Sequence, residues 1–212
     1  MIQAIRAGNR MYIKIKKIKI HIIWLFLILL FVLINFSVYI LILLSCIFIH
    51  EIGHIIFIKI NKFNIISIEI LPFGINITTD SKLASYKTDI MVALSGPAAN
   101  IIAAFAIFLI IKVNGYVSVL FFALLTNIIY AAINLFPVKS LDGGKAVSDI
   151  LKIYLPEHLA RIIFSCISAV FLGILSLFAF FVLMITGYNF TLILLCCYLF
   201  YTIHFAPRKK TV

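Results

Sequence analysis

Apolar positions in this chain come in long runs and seldom alternate with polar ones. Six runs rich in Ile, Leu, Phe and Val cover about residues 21–36, 38–60, 90–111, 117–136, 161–185 and 188–206. A stretch of about 18 or more apolar residues is the length that crosses a bilayer as a helix. The first two runs nearly merge, with Asn35, Phe36 and Ser37 as the turn between them. Residues 1–20 differ: between Tyr12 and Ile20 isoleucine alternates with lysine, which suits a short interfacial strand or a snorkelling segment. The connection 61–89 holds β-branched residues on both sides of Pro72-Phe73-Gly74, the pattern of a hairpin over about 63–78 at the membrane edge. The pattern therefore predicts an all-α polytopic membrane protein of about six transmembrane helices with one short membrane-edge β-hairpin. Its parts are a basic leader (1–20), a transmembrane domain (21–206) and a basic tail (207–212).

Composition agrees. Of 212 residues, 65% are hydrophobic and 12% charged, whereas soluble domains are about half apolar and a quarter charged. The net charge of +11 would suit a nucleic-acid partner on a soluble chain. Here the basic residues sit at the ends of apolar runs, so nucleic acid is excluded and anionic lipid headgroups are the expected partner. Placing the N-terminus in the cytosol puts every one of the 18 Lys and Arg on the inner side except Lys112. The positive-inside rule thus predicts that both termini are cytosolic. The four cysteines (Cys46, Cys166, Cys196 and Cys197) lie inside apolar runs without metal spacing and read as small apolar side chains. No cleavable signal peptide is evident, because the first apolar run is long and lacks a small-residue cleavage site.

The second run contains His50-Glu51-Ile52-Gly53-His54. On a helix, residues four apart stack on one face, so both imidazoles can reach a single metal ion while Glu51 stays beside it. If Lys59 marks the inner boundary, the motif lies about 8–14 Å deep at 1.5 Å per residue. A carboxylate at such depth costs on the order of 2.5–3.5 kcal/mol on insertion scales, so this cluster calls for a metal and a water-filled cavity. A third ligand is needed, and Asp142, ahead of Gly143 and Gly144, is the candidate. The residues alone leave two readings of Asp142 open: a metal ligand in a tight glycine turn, or the cap of a helix beginning near Lys145. Asn100 and Asn127, inside apolar runs, either bond between helices or line the cavity. Cys46, one turn before His50, reads as packing. His21, His158 and His204 sit near predicted interfaces, and Glu69 and Asp149 read as solvated charges.

Taken together, His50 to His54, Leu71-Pro72-Phe73-Gly74, Ser95-Gly96-Pro97 and Asn134-Leu135-Phe136-Pro137 through Leu141-Asp142-Gly143-Gly144-Lys145 resemble the site-2 protease family of intramembrane zinc metalloproteases. The likeness spans residues 14 to 145, with the Lys-rich lead into His21 and Trp24, and is nearest to the stage IV sporulation protein FB branch. The resemblance implies one zinc ion held by His50, His54 and Asp142, with Glu51 as catalytic base. It also implies that Asn134 holds the substrate near the metal, with Pro137 beside it. Implied partners are a membrane-associated protein substrate, a sporulation sigma-factor precursor in that branch, and inhibitory membrane proteins. An anti-sigma factor or a signal-peptide remnant is the alternative client, and a non-catalytic metal-binding carrier the rival from another class. A carrier has no use for a base at Glu51. Two departures stand out: Ser140 replaces a proline common in relatives, and no nucleotide-sensing CBS domain follows the last run.

Overall fold

The computed structural model describes residues 2–7, 10–15, 18–21, 37–62, 65–71, 74–79, 85–188 and 190–204, with side chains placed for 37–62, 85–188 and 190–201. The predicted span at 21–36, apart from His21, and the basic tail at 207–212 lie outside the described residues. The chain divides into two compact units, one of residues 1–84 and 98–131, the other of 85–97 and 132–212.

The first unit holds a five-stranded sheet where the sequence predicts a single hairpin. Its strands are β1 (Ile2–Ala7), β2 (Arg10–Ile15), β3 (Ile18–His21), β4 (Ile65–Leu71) and β5 (Gly74–Thr79), in that spatial order. Every neighbouring pair is antiparallel except β3 and β4, which run parallel with Ile18, Lys19 and Ile20 opposite Ile68, Glu69 and Ile70. Parallel neighbours need a long crossover, and here the crossover contains helix α1 (Val38–Ile60). The leader thus supplies three strands, and its Ile–Lys alternation is strand periodicity. That pairing reaches about 50 positions along the chain, which a local pattern does not reveal.

Helix α1 starts at Ser37, whose hydroxyl accepts from the Tyr39 amide at 3.4 Å. It ends at Asn61, whose side-chain amide donates to the Phe57 carbonyl at 2.9 Å, and Lys62 then turns away with φ 59°. Along α1 the buried positions include Cys46, His50, Glu51, Gly53, His54 and Ile58, spaced as one helical stripe. Leu41, Leu43, Phe48, Ile56 and Ile60 face outward. A soluble helix hides its apolar stripe; this one hides its polar stripe, the arrangement a hydrocarbon solvent demands.

Helices α2 (Tyr86–Asn114) and α3 (Ser118–Leu135) contribute to both units. Pro97 sits inside α2, as bilayer helices tolerate. The second unit is completed by α4 (Asp142–Tyr154), α5 (Glu157–Thr186) and α6 (Thr191–His204). Its core joins Val138 to Leu172, Leu175 and Ala179 of α5 and to Cys196 and Leu199 of α6. Gly187, at φ 72°, closes α5 in the left-handed region and donates its amide to the Leu183 carbonyl at 2.7 Å.

Among the described residues four helices are long and apolar enough to cross a membrane: α1, α2, α3 and α5. Of the predicted span at 188–206, the described residues include α6, an apolar helix of 14 residues. The outward faces of the long helices carry Ile102, Phe105, Ile129, Leu177, Phe181 and Ile185. The chain is an integral membrane protein.

Candidate active site

His50, Glu51 and His54 are 2%, 7% and 8% exposed, the most polar cluster in an otherwise apolar helix. The α-helical rise stacks the two imidazoles, ring centroids 4.9 Å apart and nearly perpendicular. Their Nε2 atoms lie 3.3 Å from each other. Two nitrogens each about 2.0–2.1 Å from a tetrahedral zinc ion subtend an edge of roughly 3.3–3.4 Å. The separation of the pair matches that of two nitrogen donors on one tetrahedral metal ion.

The other nitrogen of His50, Nδ1, meets the Asn100 side-chain oxygen at 2.8 Å. Asn100 in turn donates its side-chain amide to the Cys46 carbonyl at 3.0 Å and to the Asn127 side-chain oxygen at 2.9 Å. Asn127 donates to the Ala123 carbonyl at 2.9 Å. The Tyr130 ring stands edge-on to His50, centroids 5.0 Å apart. Cys46 directs its thiol at the Thr126 carbonyl, 3.7 Å away, in keeping with a packing role.

In the second unit Asp142 is 4% exposed and opens α4. Leu141 is the N-cap and makes no side-chain capping bond, so Asp142 does not cap a helix starting at Lys145; it is the first helical residue itself. A carboxylate in the first turn is favoured by the positive end of the helix dipole. One helical turn on, Lys145 Nζ donates to Asp142 Oδ1 at 2.8 Å. The two glycines that follow have a packing reason. A Cβ on Gly143 would overlap the Leu135 carbonyl, and one on Gly144 the Val138 carbonyl. The chain folds back on itself here too closely for any side chain. Asn134 and Pro137 are half-buried, at the end of α3 and in the connection to α4.

Two contacts escaped the sequence. Lys145 is signalled only once the helix is known to start at Asp142, since the pair is then three apart on one face. Tyr130, an aromatic within an apolar run, carries no signal of its own. A groove of about 980 Å³ beside α5 and α6, lined by Ser165, Ser168, Ser176, Cys197 and Phe200 among others, includes none of the predicted site residues.

The family model described as Peptidase family M50 matches residues 38–117 and 111–178, which include both the histidine pair and Asp142. The chain belongs to peptidase family M50, the site-2 proteases. Among solved structures, the Site-2 Protease from Methanocaldococcus jannaschii is similar at 23% identity and a TM-score of 0.61, covering 94% of this chain and 93% of that one. That likeness concerns the fold. No curated protein matches the chain. M50 peptidases are metal-dependent, and His50, His54 and Asp142 of this M50 chain can each offer one ligand atom to a metal ion.

Proposed function

We propose that this M50 peptidase is a zinc metalloendopeptidase that hydrolyses a peptide bond of a membrane-associated protein in or near the bilayer. His50, His54 and Asp142 hold one zinc ion, and Glu51 is the general base. The observation that carries this reading is the buried His50–His54 pair, with Nε2 atoms 3.3 Å apart and a buried glutamate beside them in a helix built for lipid. Two imidazoles and a carboxylate are a zinc donor set that leaves one position open for chemistry. Zinc bound there would supply a Lewis acid and lower the pKa of its bound water to about 7. Glu51 takes the proton from the attacking water and delivers it to the leaving amine.

The substrate must be extended at the cut, because a helix shields its carbonyls. Strand β5 is the last strand of its sheet in the described residues, with β4 on one side. An extended peptide can add to such an edge through main-chain hydrogen bonds. Asn134 and Pro137 then hold the peptide. Both termini and the opening of the site lie on the cytosolic side in this reading, which the excess of Lys and Arg on that side supports. A sporulation sigma-factor precursor is the favoured client, with an anti-sigma factor or signal-peptide remnant as alternative.

The test co-expresses the chain with candidate membrane-associated precursors and compares it with Glu51→Gln at equal abundance. Cleavage should fall by about 10²–10⁴-fold. Undiminished cleavage by the variant would remove Glu51 from the mechanism. Zinc uptake into vesicles that persists in Glu51→Gln and fails in His54→Ala would point to a carrier instead.

A further inference from the structure

Two asparagines in the first unit form, with His50, a chain of hydrogen bonds that runs in one direction only. Asn100 is 0% exposed and Asn127 3%. Burying amides among apolar helices is costly unless they are bonded, and both are bonded here. The fixed points are backbone carbonyls, which accept and never donate. The Ala123 carbonyl, 2.9 Å from Asn127 Nδ2, obliges Asn127 to present its amide nitrogen there and its oxygen to Asn100. The Cys46 carbonyl, 3.0 Å away, likewise fixes the amide nitrogen of Asn100. Only the Asn100 oxygen is left to face His50 Nδ1, at 2.8 Å, and that oxygen can only accept.

We infer that Asn100 and Asn127 are positioning residues that set the tautomer of His50, holding its proton on Nδ1 and leaving the Nε2 lone pair for the metal. A neutral imidazole carries one N–H, so a donor at Nδ1 requires a bare Nε2. That is the nitrogen 3.3 Å from its counterpart on His54. Turning the Asn100 amide over would place its NH₂ against Nδ1, move the proton to Nε2 and block the ligand atom. Joining α2 to α3 needs only the Asn100–Asn127 bond; the link to the ring adds orientation. Metal-binding histidines commonly donate their second N–H to an oxygen, and that partner sets ring angle and tautomer. A carboxamide does this without adding a second negative charge at bilayer depth, where charge is expensive. This inference rests on the metalloprotease reading of the same site.

The test uses the full chain purified in detergent. In metal-free wild type, ¹⁵N NMR of labelled histidine, assigned by the signal lost in His50→Gln, should show His50 protonated at Nδ1. Asn100→Leu should weaken zinc binding by about 10–100-fold in chelator competition and shift the absorption bands of the Co²⁺-loaded protein. Asn127→Leu, which removes one of the two acceptors that hold the Asn100 amide nitrogen and leaves the Cys46 carbonyl in place, should lose a smaller part of that affinity. Asn100→Asp keeps an acceptor for Nδ1–H but sets its second oxygen against the Cys46 carbonyl and the Asn127 oxygen, so it should recover part of it. A wild-type His50 protonated at Nε2 would overturn the assignment, even if Asn100→Leu fails to fold. So would an Asn100→Leu protein with wild-type zinc affinity and an unchanged Co²⁺ spectrum. A wild-type protein that binds no zinc would instead undo the metalloprotease reading, while the NMR signal still reports the tautomer.

Discussion

The two stretches that carry the expected metal donors are built on opposite principles. On α1 the donors follow from helical repetition: residues four apart stack, and any well-formed helix would bring His50 and His54 to the same face. Around Asp142 repetition plays no part. The carboxylate is placed where a chain doubles back so tightly that Gly143 and Gly144 lie against the carbonyls of Leu135 and Val138. The first arrangement is set by covalent geometry and backbone hydrogen bonds. The second is set by packing. They should therefore fail differently when altered.

The largest effect is expected on the repetitive side. His54→Ala leaves the helix intact but removes a donor, so the purified protein should lose its one bound zinc by metal analysis, and cleavage with it. Glu51→Gln should sharpen the contrast by keeping the zinc while lowering the cleavage rate about 10²–10⁴-fold. A Gln variant that loses its metal would mean that Glu51 serves the fold or the ligand set and is not the base. On the packed side, Gly143→Ala should destabilise by about 1–3 kcal/mol through overpacking, read from thermal unfolding in detergent. Gly173→Ala in α5, with open space around it, is the control and should be neutral or stabilising by up to about 1 kcal/mol. Equal melting temperatures for the two would show that the turn can yield. The smallest effect is expected at Lys145, whose side chain is 56% exposed. Lys145→Met should change stability by no more than about 1 kcal/mol, as for solvent-screened ion pairs, and zinc affinity by no more than roughly fivefold.

The same contrast explains what the sequence disclosed. The HExxH cluster was legible because its spacing is its geometry, and the four long spans because their length is set by the bilayer. Asp142 was half legible: the residues raised it as a ligand or a cap, and the helix beginning at Asp142 itself removes the cap. The sheet was largely illegible, since β3 finds β4 only after the chain has passed through α1. Asn100 and Asn127 were visible as polar residues in apolar runs. The order in which they bond could not be read, because it depends on which carbonyls of α1 and α3 face them. Tyr130 and Lys145 became meaningful only as neighbours.

The order of synthesis bears on the bond between His50 and Asn100. These residues are 50 positions apart, and a ribosome adding about 5–20 residues per second needs about 2.5–10 s to travel from one to the other. During that interval α1 is complete while the amide that will anchor its histidine has not yet been made. The nascent helix therefore waits with His50 not yet joined to Asn100, at the stage when the insertion machinery accepts or rejects it. The long apolar runs on either side of the motif carry it through that wait.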